Sequence, residues 1–522
     1  MKVPFSSLSM NKHSAARREF IINSSLTALG LLLDRRVAAQ AVPVALQVNT
    51  AAPGLPISRD FIGLSYENMQ LEDPTFFSPK NTGLIEQFKA ISPRGVLRLG
   101  GNTSEFNWWK SDPSQAPPKR DLVLKNGSRP QDTLYAITPH TIRELDGFLR
   151  ATGWTCIYGL NLGFGTPTID LPEAKFVYNT LGPRLQYFQI GNEVDQFVQY
   201  HLRDADTWNS GLYLQQWLNI ARAVQEAIPL ARFGLPDVAS KVDWLSQIAA
   251  KWPSIVDQPH ITTLSHHYYW SGPPSNASAT IERLLQPNPV VMRQAETTRA
   301  AALKMGTAYR MTEGNTIFRG GKSGLSDVFA AALWAADYLL TLMSLGYSGV
   351  NLHGGSGHAQ AVSVGGSFVG EADMKDPNQP HPKPFYTPIA NEGTLAGSGV
   401  DGKLNSKYVL EPTGYGMKFV NAFAGATMLP VDFKPGPVNA VAYAARQRNG
   451  KVLVAIINKD QTQSLSVRMP ACNVQQVLTA SSISAREAHL LDSAAAAASV
   501  AGSKDSVTIP KATAATFILT QG

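Results

Sequence analysis

Eight short apolar runs recur between residues 61 and 355: FIGLSYE (61–67), GVLRLGG (95–101), TCIYGLNLG (155–163), LQYFQIGNE (185–193), ARFGLPDV (231–238), ITTLSHHYY (261–269), AYRMTEGN (308–315) and GVNLHGG (349–355). Each stays largely hydrophobic until its last residues, where glycine and polar groups collect. A strand exposed on one face alternates apolar with polar positions, whereas a strand covered on both faces does not. These runs therefore read as buried parallel strands. The gaps at 83–91, 139–152, 172–181, 207–228, 241–251, 293–305 and 325–346 carry helix-like patterns. Repeated strand-then-helix units predict an α/β fold, a closed (β/α)8 TIM barrel whose site lies where the polar residues collect, at the C-terminal strand ends. A doubly wound open sheet would need a phosphate-binding glycine turn in an early unit, and none of the early units has one. The G-x-S-x-G and H-E-x-x-H patterns occur nowhere in the chain.

Past about residue 420 the pattern changes to short alternating strands at 438–447, 451–459, 463–469, 506–510 and 513–521, with turn signals such as Arg448-Asn449-Gly450. This predicts a catalytic barrel over 60–420 followed by a small C-terminal β-sandwich over 421–522. The segment 42–59 contains one leftover strand, VALQVN (44–49), expected to join the sandwich. Two barrel loops are long, Lys110 to Ile137 and Ser356 to Pro388, and are expected to shape substrate access.

Composition changes this picture little. At 44% hydrophobic and 16% charged residues, the 522-residue chain can bury a large core, which excludes disorder and coiled coil. Two cysteines, Cys156 and Cys472, allow at most one bridge and no cysteine-rich metal site. Four of the seven net positive charges fall in residues 1–41, so the remainder carries no nucleic-acid footprint. There Arg17-Arg18-Glu19-Phe20 precedes an apolar run to Leu33, with Ala39-Gln40-Ala41 as a small-residue cleavage site. Residues 1–41 thus read as a twin-arginine signal, giving an exported protein, periplasmic or secreted, with no integral membrane segment after signal removal.

Two acids stand at strand ends: Glu193 in Gly191-Asn192-Glu193 after the fourth run, and Glu313 in Thr312-Glu313-Gly314 in the seventh. Facing carboxylates are what glycosidic hydrolysis needs, one to protonate the leaving oxygen and one to attack the anomeric carbon. A lone strand-end acid is more often a salt-bridge partner; two on strands four and seven are not. His266 and His267 lack a third ligand at metal-site spacing and read as hydrogen-bonded pocket residues. Trp108 and Trp109 fit a sugar-stacking face or the core equally well.

With Asn192-Glu193 on strand four and Glu313 on strand seven, the sequence resembles the clan A retaining glycoside hydrolases. Within the clan it is most similar to family 79, the β-glucuronidase and heparanase-like enzymes, through FIGLSYE, LRLGGNT (97–103), QIGNE (189–193), HHYY (266–269), YRMTEGN (309–315), VNLHGG (350–355) and YTPIA (386–390). The resemblance implies Glu193 as acid/base, Glu313 as nucleophile and Asn192 on the sugar's 2-hydroxyl. Arg98 and Tyr268 are expected to support the nucleophile, Tyr268 as the tyrosine of an H-x-Y begun by His266. Glu67 and, more weakly, Asn102 match residues that hold the terminal sugar. For the uronate carboxylate the family uses tyrosines and backbone N–H groups. Tyr386 and Gly320 match these, but Phe318 stands where a tyrosine is expected, and Arg319 beside it is a candidate substitute. The implied activity is that of a retaining exo-β-glycosidase, a β-glucuronidase acting on glycosides with a terminal β-linked uronic acid, without metal or organic cofactor. Two alternatives stay open: a clan A enzyme for a neutral glucoside, galactoside or xyloside, which Phe318 favours, and a non-catalytic glycan-binding protein.

Overall fold

The computed structural model describes residues 43–120, 122–130, 134–356, 384–391, 407–503 and 505–520, together with Ala359 and Ser363. The expected signal at 1–41 and most of the loop from Ser356 to Pro388 lie outside the described residues. Val44–Gly522 makes one compact unit.

Its centre is a closed barrel of eight parallel strands. In chain order these are β1 (Ile62–Glu67), β2 (Val96–Gly100), β3 (Thr155–Leu160), β4 (Leu185–Ile190), β5 (Phe233–Val238), β6 (Ile261–Ser271), β7 (Ala308–Ile317) and β8 (Val350–Gly354). Each pairs with its sequence neighbour, and β8 closes on β1 through Val350 to Ile62 and Gly354 to Tyr66. The outer layer is α1 (Thr82–Ile91), α2 (Pro139–Thr152), α3 (Pro167–Leu181), α4 (Ser210–Ala227), α5 (Asp243–Lys251), α6 (Pro289–Met305), α7 (Phe329–Ser344) and α8 (Pro412–Val420). α2, α3, α6 and α8 open on proline, whose missing N–H costs nothing in a first turn. Thr138, Thr166 and Asn288 cap the first three of these with side-chain oxygens. The helical patterns expected at 172–181 and 293–305 begin earlier, at these prolines, and α8 was not expected.

The sandwich sheets have five strands, in the order 431–433, 44–48, 465–468, 506–509, 501–503, and seven, in the order 55–56, 427–429, 440–446, 452–458, 513–519, 472–479, 489–492. Strand Val452–Asn458 is buried along its whole length because its two faces serve two cores. Leu453, Ala455 and Ile457 join the barrel core, while Val452, Val454 and Ile456 join the sandwich core. The same junction explains why α7 is apolar almost all round. Across it, Lys459 Nζ pairs with Asp337 Oδ2 at 2.5 Å. Between the last strands of the sandwich, an alanine-rich segment forms the short helix Ser493–Ser499.

The long loop after Trp109 is closed by parallel pairing of Asn107–Trp109 with Tyr135–Ile137. Trp108 and Trp109 are buried there and belong to the scaffold. Cys156 and Cys472 are both free thiols.

Candidate active site

Near the strand ends, polar side chains enter the barrel interior that the apolar runs otherwise fill. Arg98, on β2, is fully buried. Its Nη1 donates to Glu313 Oε2 at 2.7 Å and Ser65 Oγ at 3.1 Å, and its Nη2 donates to Asn192 Oδ1 at 2.5 Å and to Asp237 at the end of β5. Glu313 also accepts the Tyr269 hydroxyl at 2.8 Å, and His353 Nδ1 of β8 lies 3.5 Å from its Oε2. Burial penalises the Glu313 charge, but His353, His267, Arg98 and Tyr269 outweigh that penalty and hold its pKa at about 2.

Glu193 follows β4 in the left-handed region, at φ 45° and ψ 47°. Such strain in a non-glycine residue persists only where the surroundings impose it. Two buried carboxylates do so. Glu105 accepts the N–H groups of Asn192 at 2.6 Å, Leu162 at 2.8 Å and Gly163 at 2.6 Å. Asp195 accepts those of Ala239, Ser240 and Lys241 at 2.7, 3.1 and 3.0 Å. The turn carrying Glu193 is thereby tied to the ends of β3 and β5.

The Glu193 carboxyl meets His267 Nδ1 at 3.2 Å and the Tyr200 hydroxyl at 3.3 Å. Its pKa is raised, first by burial, with the Glu313 charge adding to it and His267 only partly opposing. His267 itself lies between Glu193 and Asp237, its Nε2 3.2 Å from Asp237 Oδ2. Burial disfavours the imidazolium, yet Asp237 and Glu313 prevail and lift its pKa to about 10. The site thus holds one carboxyl favoured as acid and one as carboxylate, with donor atoms of Glu193, His267 and Glu313 within 4.8 Å of one another. Those three donors are engaged in ion pairs beside a guanidinium, which leaves a poor setting for a metal cation.

The cleft above them has a volume of about 520 Å3 and is lined by Glu67, Asn102, Tyr200, Phe318, Arg319, His353 and Tyr386, among others. Glu67 Oε2 accepts the Thr103 hydroxyl at 2.7 Å, and Asn102 Oδ1 accepts Asn192 Nδ2 at 2.9 Å. Asn192 is itself buried, its side chain spanning Arg98 and Asn102. Gly320 and Tyr386 meet through a hydrogen bond from the Gly320 backbone to the tyrosine hydroxyl.

The expected role of Tyr268 is corrected. Its hydroxyl accepts Asn288 Nδ2 at 2.6 Å and its ring stacks on Tyr338; it lines the cleft, but the hydroxyl that reaches Glu313 is that of Tyr269. His266, expected in the pocket, bonds the Tyr347 hydroxyl at 2.8 Å in the barrel wall. HHYY contains H-x-Y in two registers, and the one facing the site is His267-x-Tyr269. The outward face of β6 is held by its contacts with the helix layer, and alternation then turns His267 and Tyr269 inward. Asp237, His353, Tyr200 and Glu105 were not singled out from sequence. Asp237 and His353 had a signal, a polar residue near the end of an apolar run; Tyr200 and Glu105, both in connections, had none.

No family model matches the chain. It is 23% identical over 352 residues to a β-glucuronidase of Aspergillus niger, covering 62% of this chain and 63% of that one. With a β-glucuronidase of Neurospora crassa it is 25% identical over 369 residues, covering 64% of each. The match thus spans a little under two thirds of these curated relatives. Among solved structures, a 4-O-α-L-rhamnosyl-β-D-glucuronidase from Fusarium oxysporum superposes with a TM-score of 0.63 at 16% identity, over 92% of this chain and 100% of that one. A family 51 arabinofuranosidase from Xanthomonas axonopodis gives 0.60 at 16% identity over the same shares. In fold, the chain is an eight-stranded parallel barrel carrying a β-sandwich and is similar to these solved glycosidases.

Proposed function

We propose that the protein is a retaining exo-β-glycosidase that releases terminal β-linked glucuronic acid. The observation that carries the reaction type is the Glu193 and Glu313 pair, close together and biased toward opposite protonation states. Retention needs carboxyl groups about 5–5.5 Å apart, since inversion must fit a water between the general base and the anomeric carbon. Glu313 attacks the anomeric carbon while Glu193 protonates the departing oxygen; Glu193 then takes a proton from the water that hydrolyses the ester. Loss of the Glu313 charge in that ester removes one of the causes that raise the Glu193 pKa, which suits Glu193 to act as base in the second half. The β-glucuronidase relatives support the choice of sugar. A neutral-sugar specificity is the second reading, favoured by Phe318, which is 38% exposed and brings no hydroxyl to the cleft.

A panel of 4-nitrophenyl β-glycosides separates the readings. The expected result is fastest cleavage of the glucuronide, with β-glucuronic acid as the first anomer seen by NMR. A first-formed α anomer would end the retaining assignment, and faster cleavage of the glucoside, galactoside or xyloside would favour the second reading.

We also propose export through the twin-arginine route, on the strength of Arg17-Arg18 and the apolar run that follows. Replacing both arginines by lysine is expected to leave precursor in the cytoplasm; normal export of that variant would point to a general secretory signal.

A further inference from the structure

The cleft is acidic where the sugar must sit. Glu67, Glu193 and Glu313 all line it, so a uronate brings a further negative charge among carboxyl groups. Three cationic or potentially cationic side chains line it as well: His267, His353 and Arg319. Two of these are committed. His267 lies between Glu193 and Asp237, and His353 is 3.5 Å from both Glu67 Oε1 and Glu313 Oε2. Arg319 is exposed at the rim and has no hydrogen bond or ion pair among the described residues.

Its backbone is informative too. Arg319 sits at φ 62°, followed by Gly320 at 90° and Gly321 at 86°. Glycine would take that first position without steric cost, as it does the next two. A long cationic side chain held there instead, at the mouth of the cleft, is an outlier of the kind that marks functional sites. Phe318, just before it, packs edge-on against Tyr269, which bonds the Glu313 carboxylate. Arg319 thus follows directly on a lining residue, Phe318, that brings no hydroxyl to the cleft. A guanidinium fork matches a carboxylate's two oxygens, so it can replace several neutral donors at once.

Resting on the glucuronidase reading, we propose that Arg319 is a specificity-determining residue that pairs with the carboxylate of the substrate's uronate. Its charge offsets the repulsion from the acidic cleft, and the neutral glycoside gains nothing from it.

The test compares aryl β-glucuronide and aryl β-glucoside kinetics for wild type, Arg319→Gln and Arg319→Gly in the full mature chain. Arg319→Gln is expected to raise KM for the glucuronide about tenfold with little change in kcat, and to lower the glucuronide-to-glucoside ratio of kcat/KM to a similar degree. Arg319→Gly relieves the left-handed strain, so the same loss in that variant is not a folding defect. Raising salt from about 50 mM to about 0.5 M should weaken wild-type glucuronide binding and leave Arg319→Gln nearly unaffected. A wild type that cleaves glucuronide with a KM insensitive to Arg319→Gln, or parallel losses on both substrates, overturns the Arg319 inference alone. A wild type that cleaves only the neutral glycoside overturns the glucuronidase reading and this inference with it.

Discussion

Glu313→Gln is expected to lose turnover of every glycoside the wild type cleaves, by about 10⁴-fold or more, because an amide cannot form the ester intermediate. The substitution keeps the shape of the side chain, and Arg98 keeps its pairing with Asp237, so the scaffold should survive. The same variant carries a stability signature. The folded Glu313 pKa, about 2, lies below the ordinary glutamate value of 4.5. Its ionised form therefore stabilises the fold above the unfolded pKa, and that contribution is lost as pH falls from about 4.5 through about 2. Denaturant midpoints measured against pH should show a shallower loss across this window in Glu313→Gln than in wild type. Residual turnover above about one part in a hundred on a good leaving group would remove Glu313 from the nucleophile's role.

The barrel was legible because parallel strands covered on both faces leave unbroken apolar runs, and the acids Glu193 and Glu313 stand out at the ends of such runs. What was illegible depended on partners distant in sequence. HHYY could turn either parity inward, and the contacts of His266 with Tyr347 and of Tyr268 with Asn288 and Tyr338, from elements up to 81 residues away, fix the choice. Glu105 reads as an ordinary loop acid until the ends of β3 and β4 are folded onto it. α8 falls just where the barrel pattern gives way to the sandwich. Strand Cys472–Thr479 carries glutamines that blur its alternation, and it pairs with the nearby His489–Asp492 on one side and the later Thr513–Leu519 on the other, so its own sequence marks it weakly.

Glu193→Ala is expected to separate substrates by leaving group. A general acid contributes about 10²–10⁴-fold, and only where the departing oxygen needs a proton. Aryl glycosides with acidic phenols should therefore lose little in the first step, while alkyl glycosides should lose nearly the full factor. With the acid gone, the second step lacks its base and the glycosyl-enzyme should accumulate. Azide, which needs no deprotonation, should then restore turnover and give the β-glycosyl azide. His267 sharpens the pH side of this test. Held at about 10 between Glu193 and Asp237, it stays charged through neutrality, so the first basic limb of kcat/KM, above the ordinary carboxylate range, belongs to deprotonation of Glu193. That limb should vanish in Glu193→Ala and persist in a Tyr200→Phe control, which removes the 3.3 Å hydrogen bond to the same carboxyl and the 3.1 Å one from Asn102 Nδ2. Equal losses on good and poor leaving groups, with no azide rescue and the basic limb intact, would show that the proton comes from another residue.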